Sequence, residues 1–434
     1  MTHETQSREA AYYILKKVLD DNVTIEPAFE MIMDAFHKDI SSKDRRFVRY
    51  LVSTVIRRLG QLDKIINHCT KTKLGNTQMS VRHVLRLGIA QLLYSDVPAH
   101  AAVNTSVNLL VNKVPKKLHY LKNTVNAILR NVDRERDVLL KKFGNTRLNF
   151  PMWLLKSWDK RYGQPVVKEI LGTLLLEAPL DISLKPELNE KEWAEKLKGK
   201  VVPFGGLRIE KAGKITEIEG YSEGAWWIQD LAARIPAELL GAKKGEVVLD
   251  LCAAPGGKAA QTAAKGAIVV AVDLSNSRLL RLKENMARLK LDIDVIKSDI
   301  LKYKPDHKFE YILLDAPCSS TGTIRRHPEI LHMRKEQEAK DVIEVQANML
   351  DHAAGLLNKG GILVYSVCSM EKGEGPDQIN ALLKRDGTLK RKQIIIDEMP
   401  NLEQAILETG DVQTLPHYYE DGMDGFFISR LIKT

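Results

Sequence analysis

Two cysteines stand out by their surroundings. Cys318 lies in Asp315-Ala316-Pro317-Cys318-Ser319-Ser320-Thr321-Gly322 and Cys368 in Tyr365-Ser366-Val367-Cys368-Ser369, each just beyond an apolar run that reads as a β-strand. A thiol so placed can act as a nucleophile once ionised, and a second one nearby can move a proton for the same substrate. Core filling and a metal pair are the alternative uses. A pair gives only two ligands, however, and no His or Cys stands at the usual metal spacing beside it, so no metal is expected.

A second constellation lies upstream. Asp250-Leu251-Cys252-Ala253-Ala254-Pro255-Gly256-Gly257-Lys258 ends another apolar run, and a helical pattern begins near Ala259. Small residues in such a turn let a nucleotide-like ligand approach the backbone. Asp273 follows at the end of the next run, where a carboxylate can accept from two ribose hydroxyls. Asp299, after a third run, can accept from an adenine amino group or simply cap a helix. Ala and Pro stand where a Gly-x-Gly-x-x-Gly turn would cradle a pyrophosphate, which favours a nucleoside ligand without phosphate, such as S-adenosylmethionine.

These residues need a scaffold that brings strand ends together. Short apolar runs at Val247–Leu251, Ile268–Val272, Asp294–Ile296, Tyr311–Leu314 and Ile362–Tyr365 alternate with helical patterns, which predicts an α/β, doubly wound, Rossmann-like domain over residues 225–434. Both thiols would then emerge at the carboxyl edge of one parallel sheet, where ligands bind. Residues 1–140 read as an all-α bundle, with Ala10, Ile14 and Val18 on one face and Val81, Leu85, Gly88, Ile89 and Leu92 on another. Residues 145–224 read as a small α+β, RRM-like linker domain, with Trp153 and Trp158 on a helix and strand-like pieces at Leu180–Leu184 and Leu207–Ile209.

Charge is uneven along the chain. Residues 1–150 carry 25 Lys and Arg against 14 Asp and Glu, whereas the rest carry 40 against 42, so the helical part alone is suited to a polyanion. Four cysteines in 434 residues are too few for a disulfide framework and are expected as thiols. A polar start and the absence of any long apolar run predict neither signal peptide nor membrane span, and a cytoplasmic monomer is the expectation.

On the Pro-Gly-Gly-Lys turn, Asp-Ala-Pro-Cys and the later Cys-Ser, residues of about 150–434 resemble the RNA 5-methylcytosine methyltransferases. The resemblance implies that S-adenosylmethionine is held by Cys252, Ala253, Ala254, Pro255, Gly256, Gly257, Lys258, Asp273, Asp299 and Asp315. It implies that Cys368 is the nucleophile, that Cys318 assists product release, and that Arg325, Arg326 and His327 touch the RNA strand. Spacing alone does not allocate the two thiols. The chemistry is coherent: carbon 5 of cytosine is a poor nucleophile until a thiolate adds at carbon 6, and Asp315 can hydrogen-bond the ring as charge develops. Leu415-Pro416-His417 through Asp424-Gly425-Phe426-Phe427 resembles the family's closing strand signature.

Ser7-Arg8-Glu9-Ala10-Ala11 and Asp44-Arg45-Arg46-Phe47 resemble the RNA-binding NusB family. A NusB-like module ahead of this catalytic domain implies small-subunit ribosomal RNA as the partner. The rival readings are transfer RNA as substrate and a non-catalytic RNA-binding protein. Val367 replaces the family's usual Thr, and Met370-Glu371-Lys372-Gly373-Glu374-Gly375-Pro376 departs from its Pro-Glu-Glu-Asn continuation, which leaves open how the loop after Cys368 is held.

Overall fold

A computed structural model describes residues 3–36, 40–70, 74–210 and 213–434. The chain forms two compact units, one of Met1–Lys156 with His327–Met333, the other of Ser157–Arg326 with Arg334–Thr434.

The first unit is all-α. Its helices are His3–Leu19, Ile25–Phe36, Ser42–Arg57, Leu59–Cys69, Met79–Tyr94, Ala99–Lys113, Lys122–Arg134 and Arg136–Lys142. Met79–Tyr94 is the central one, buried from Val81 through Leu93. Gly88 allows this centrality, since a Cβ there would lie 2.7 Å from a Leu129 methyl and 2.8 Å from the Ser106 hydroxyl. Its two buried arginines are matched: Arg86 grips Asp63 through two bonds of 2.8 and 2.7 Å, and Arg82 lies 3.4 Å from the same carboxylate. The two NusB-like sequence pieces meet, with the Ser7 hydroxyl 3.1 Å from Asp44 and the Arg8 guanidinium 4.5 Å above the Phe47 ring. The segment His327–Met333 packs in this unit through buried Leu331 and Glu329, the latter accepting from the Ile25 amide at 3.3 Å.

The second unit holds two sheets. The smaller is antiparallel, in the order β2-β3-β1-β4, from β1 (Leu180–Leu184), β2 (Gly199–Val202), β3 (Gly206–Ile209) and β4 (Trp226–Ile228). The larger contains β5 (Val247–Leu251), β6 (Ile268–Asp273), β7 (Asp294–Lys297), β8 (Phe309–Asp315), β9 (Leu357–Val367), β10 (Leu389–Arg391), β11 (Val412–Gln413) and β12 (Phe427–Lys433). Its order is β10-β12-β9-β8-β5-β6-β7, with β11 on β12. Strands β5 to β9 run parallel, whereas β12 inserts antiparallel between β9 and β10.

All five predicted strands of this sheet are present: β5, β6, β8 and β9 carry apolar runs largely buried between the layers, which leave the chain little choice, and β7 is the half-exposed edge. Leu249 and Leu251 enter one core and Val248 the other. The doubly wound expectation holds. The closing signature is corrected in part: residues 415–426 are irregular, and the last strand starts only at Phe427. Among the described residues, no helix is long and apolar enough to cross a membrane.

Candidate active site

Strand order reverses between β5 and β8, and the turn after β5 sits beside the end of β8. That is the topological position where α/β sheets bind ligands. The turn is tight: Cys252 adopts φ +63° and Gly256 φ +102°, after which the helix Gly257–Ala264 begins. Asp273 closes it by accepting from the Ala254 amide at 3.2 Å and from the Ser275 amide at 3.0 Å. Arg278 reaches the same carboxylate at 3.4 Å.

Register explains why the two thiols meet. Asp315 on β8 is paired with Ser366 on β9, and the cysteines follow three and two residues later. Beyond the strands the loops remain joined, through the Gly322 amide to the Cys368 carbonyl at 3.0 Å and the Met370 amide to the Thr321 hydroxyl at 3.0 Å. The sulfurs of Cys318 and Cys368 lie 3.3 Å apart, both half-buried, with the Ser320 hydroxyl 3.8 Å from the first and 3.6 Å from the second. The hydrogen bond with Cys368, then burial, then the charges of Cys368 and Glu374, push the Cys318 thiol well above its ordinary value.

Asp315 is held from two sides. Lys258 Nζ lies 2.7 Å from Oδ2, and the Ser366 hydroxyl donates to Oδ1 at 2.8 Å. Lys258 also stands 5.2 Å from the centre of the Phe426 ring, so the closing segment does reach the site. Burial first, then the charges of Asp315 and Asp273, raise the Cys252 thiol, which keeps this third sulfur protonated. Asp299 spends one oxygen as a helix cap, 3.0 Å from the Leu301 amide, while its neighbour Ser298 bonds the Asp273 carbonyl at 3.2 Å.

Asp250 was visible in the sequence only as a strand end. It is 1% exposed, and neither carboxyl oxygen has a hydrogen-bond partner. Burial, followed by the charge of Asp315, raises it to about 8. Glu374 was likewise not singled out. It is completely buried, and its carboxylate touches both cysteine loops. Glycines on either side were its only sequence signal: a Cβ at Gly375 would lie 2.8 Å from the Phe427 ring, so the backbone must be bare for Glu374 to turn inward.

The structure places Arg325 and Arg326, expected at the RNA strand, in contacts within the protein. Arg326 pairs with Asp230 at 2.6 Å and Asp424 at 3.3 Å, and donates to the Pro179 carbonyl at 3.1 Å. Arg325 is 3% exposed and donates to the Glu177 carbonyl at 2.8 Å, and burial together with the Arg326 charge lowers it to about 10. Arg325 is thus committed inside the protein, whereas Arg326 is half-buried and engaged by two carboxylates. His327 is exposed, 3.7 Å from Glu329 within the first unit.

The loop after Cys368 is secured by the helix Met152–Tyr162. Trp158 Nε1 donates to Glu371 at 2.7 Å, and Arg161 and the Tyr162 hydroxyl reach the Met370 carbonyl at 2.7 and 2.8 Å.

Comparison with known proteins agrees with this geometry. The family model described as 16S rRNA methyltransferase RsmB/F matches residues 237–432, and that of the NusB family matches residues 5–134. A ribosomal RNA small subunit methyltransferase B from Serratia proteamaculans is 31% identical across 100% of both chains. The protein of that name from Cronobacter sakazakii is 33% identical over 92% of each. The chain belongs to the ribosomal RNA small subunit methyltransferase B family. Membership of that family makes it a methyltransferase. The crystal structure of PH0851 superposes with a TM-score of 0.78 over 100% of this chain and 99% of its own, at 21% identity, which shows the shared fold.

The turn and its acids suit S-adenosylmethionine. Asp250, Asp273 and Asp315 gather at one edge, and among the described residues no hydrogen-bond donor reaches the buried Asp250 carboxyl, which leaves its polar atoms for a polar or cationic ligand to meet. Cys252 through Lys258 would line the methionine side and Asp273 would take the ribose.

Proposed function

We propose that this chain methylates carbon 5 of a cytosine in small-subunit ribosomal RNA through a covalent adduct with Cys368. The observation that carries the reading is the pair of sulfurs 3.3 Å apart beside the Asp315–Lys258 pair. The names of the relatives and the NusB match support ribosomal RNA as substrate. S-adenosylmethionine supplies a methyl group made electrophilic by its sulfonium.

Cys368, as thiolate, adds to carbon 6, and the electrons displaced to the ring nitrogen are met by a proton taken from solvent, which is returned when the carbon–sulfur bond breaks and which Asp315 holds by accepting a hydrogen bond meanwhile. Carbon 5 is then nucleophilic and takes the methyl. Cys318 can then release its proton to solvent and remove the one on carbon 5, after which the carbon–sulfur bond breaks and Cys368 leaves as thiolate. One proton is released per turnover, as the net transfer requires. The base must be unstacked, in a single strand or flipped out, to meet both thiols.

The test uses methyl-labelled S-adenosylmethionine with unmodified small-subunit ribosomal RNA or transfer RNA. Wild type is expected to form 5-methylcytosine in ribosomal RNA, Cys368→Ala to lose product and adduct, and Cys318→Ala to accumulate a covalent protein–RNA complex. Product confined to transfer RNA would overturn the substrate. Full activity in Cys368→Ala would overturn the adduct.

A further inference from the structure

Two thiols on separate loops cannot keep a fixed separation unless something holds the loops together. Glu374 does so from beneath. Its Oε2 accepts from the Ser319 amide at 2.8 Å and from Gln346 Nε2 at 3.0 Å. Its Oε1 accepts from the hydroxyls of Ser319 and Ser369, the latter at 2.7 Å, and these hydroxyls lie 3.2 Å from each other. Ser319 follows Cys318 and Ser369 follows Cys368, so one carboxylate bonds the neighbour of each thiol. Gln346, also fully buried, donates to the Pro317 carbonyl at 2.9 Å and so fixes the other flank of Cys318.

Four groups converge on this one carboxyl: the Ser319 amide, Gln346 and the two serine hydroxyls. A buried polar group so fully engaged costs more than an apolar side chain of the same volume would if packing were the only need. We propose that Glu374 is a positioning residue that sets the separation of the two thiols by holding together the loops that carry them. The proposal rests on the assignment of both cysteines to the reaction.

The experiment compares full-length wild type, Glu374→Gln and the double variant Ser319→Ala/Ser369→Ala. Iodoacetamide alkylation of the Cys318 and Cys368 peptides is followed against pH by mass spectrometry without RNA, beside kcat and KM for methyl transfer. Glu374→Gln sets a donor against donors, which lets the loops part. The Cys318 profile should move to lower pH, and kcat should fall roughly 10- to 100-fold with KM nearly unchanged, as expected when reacting groups are misplaced by about 1 Å. A folded Glu374→Gln protein with wild-type profiles and kcat overturns the proposal. Should that variant not fold, the double serine variant decides: reduced kcat supports the brace and wild-type kcat overturns it. Alkylation needs no substrate, so failure of wild type to methylate ribosomal RNA would overturn the function and leave the thiol result readable.

Discussion

At the scale of single residues, Asp250 has the most direct consequence for solution behaviour. Its carboxyl is raised from 3.8 to about 8, first by burial and then by Asp315. Between those values the folded protein keeps a proton that the unfolded chain has lost, so stability falls as pH rises, by about 1.4 kcal/mol per unit, and levels off above about 8. Urea denaturation from pH 4 to 8 should show that slope in the wild type and a flatter one in Asp250→Asn. Equal slopes would mean that Asp250 is ionised in the fold. Residues also mark where sequence reading stops. Cys318, Cys368 and Asp315 could be singled out because thiols and an acid at strand ends have few other uses, and strand register brings them together. The internal contacts of Arg325 and Arg326 could not be foreseen, because their partners lie far along the chain: Asp230 and Asp424 cannot be paired with Arg326 by inspection of charge. Glu374 was missed for the same reason, since its partner Ser319 is 55 residues away.

At the scale of elements, the parallel strands were readable from apolar runs punctuated by Gly and Pro, and the order of β12 between β9 and β10 was not, because long-range pairing leaves no local mark. Edge strands β2 and β4 also escaped notice. β2 is short and half exposed, so it lacks an apolar run. The helix Met152–Tyr162 shows how an element outside the catalytic sheet acts on it. Trp158 is fully buried and bonds Glu371, two residues from the neighbour of Cys368. Trp158→Ala should cost about 3–5 kcal/mol of stability from the cavity alone, measured by urea denaturation. It should also slow methyl transfer under conditions where the protein remains folded. A loss below about 1 kcal/mol would show that the site collapses without strain.

At the scale of the whole molecule, the basic character of the first 150 residues has a measurable signature. Lys116, Lys117 and Lys122 are exposed around the turn that carries Tyr120, itself 70% exposed. If this turn meets RNA phosphates, replacing the three lysines by alanine should lower the slope of log K against log salt by up to about 2, read by fluorescence anisotropy on ribosomal RNA fragments. An unchanged slope would move the contact elsewhere. The chain path has a different implication. Because His327–Met333 belongs to the first unit, the polypeptide crosses between units three times, after Lys156, after Arg326 and after Met333. A protease nick at the first crossing would leave Met1–Lys156 without a covalent link to the rest, while His327–Met333 stays on the catalytic fragment. A gene split there would produce a helical half without the segment that buries Leu331, and a catalytic half carrying that segment with nothing to cover it. The two units are thus encoded as alternating stretches of one chain, and recombination could exchange neither one by a single crossover.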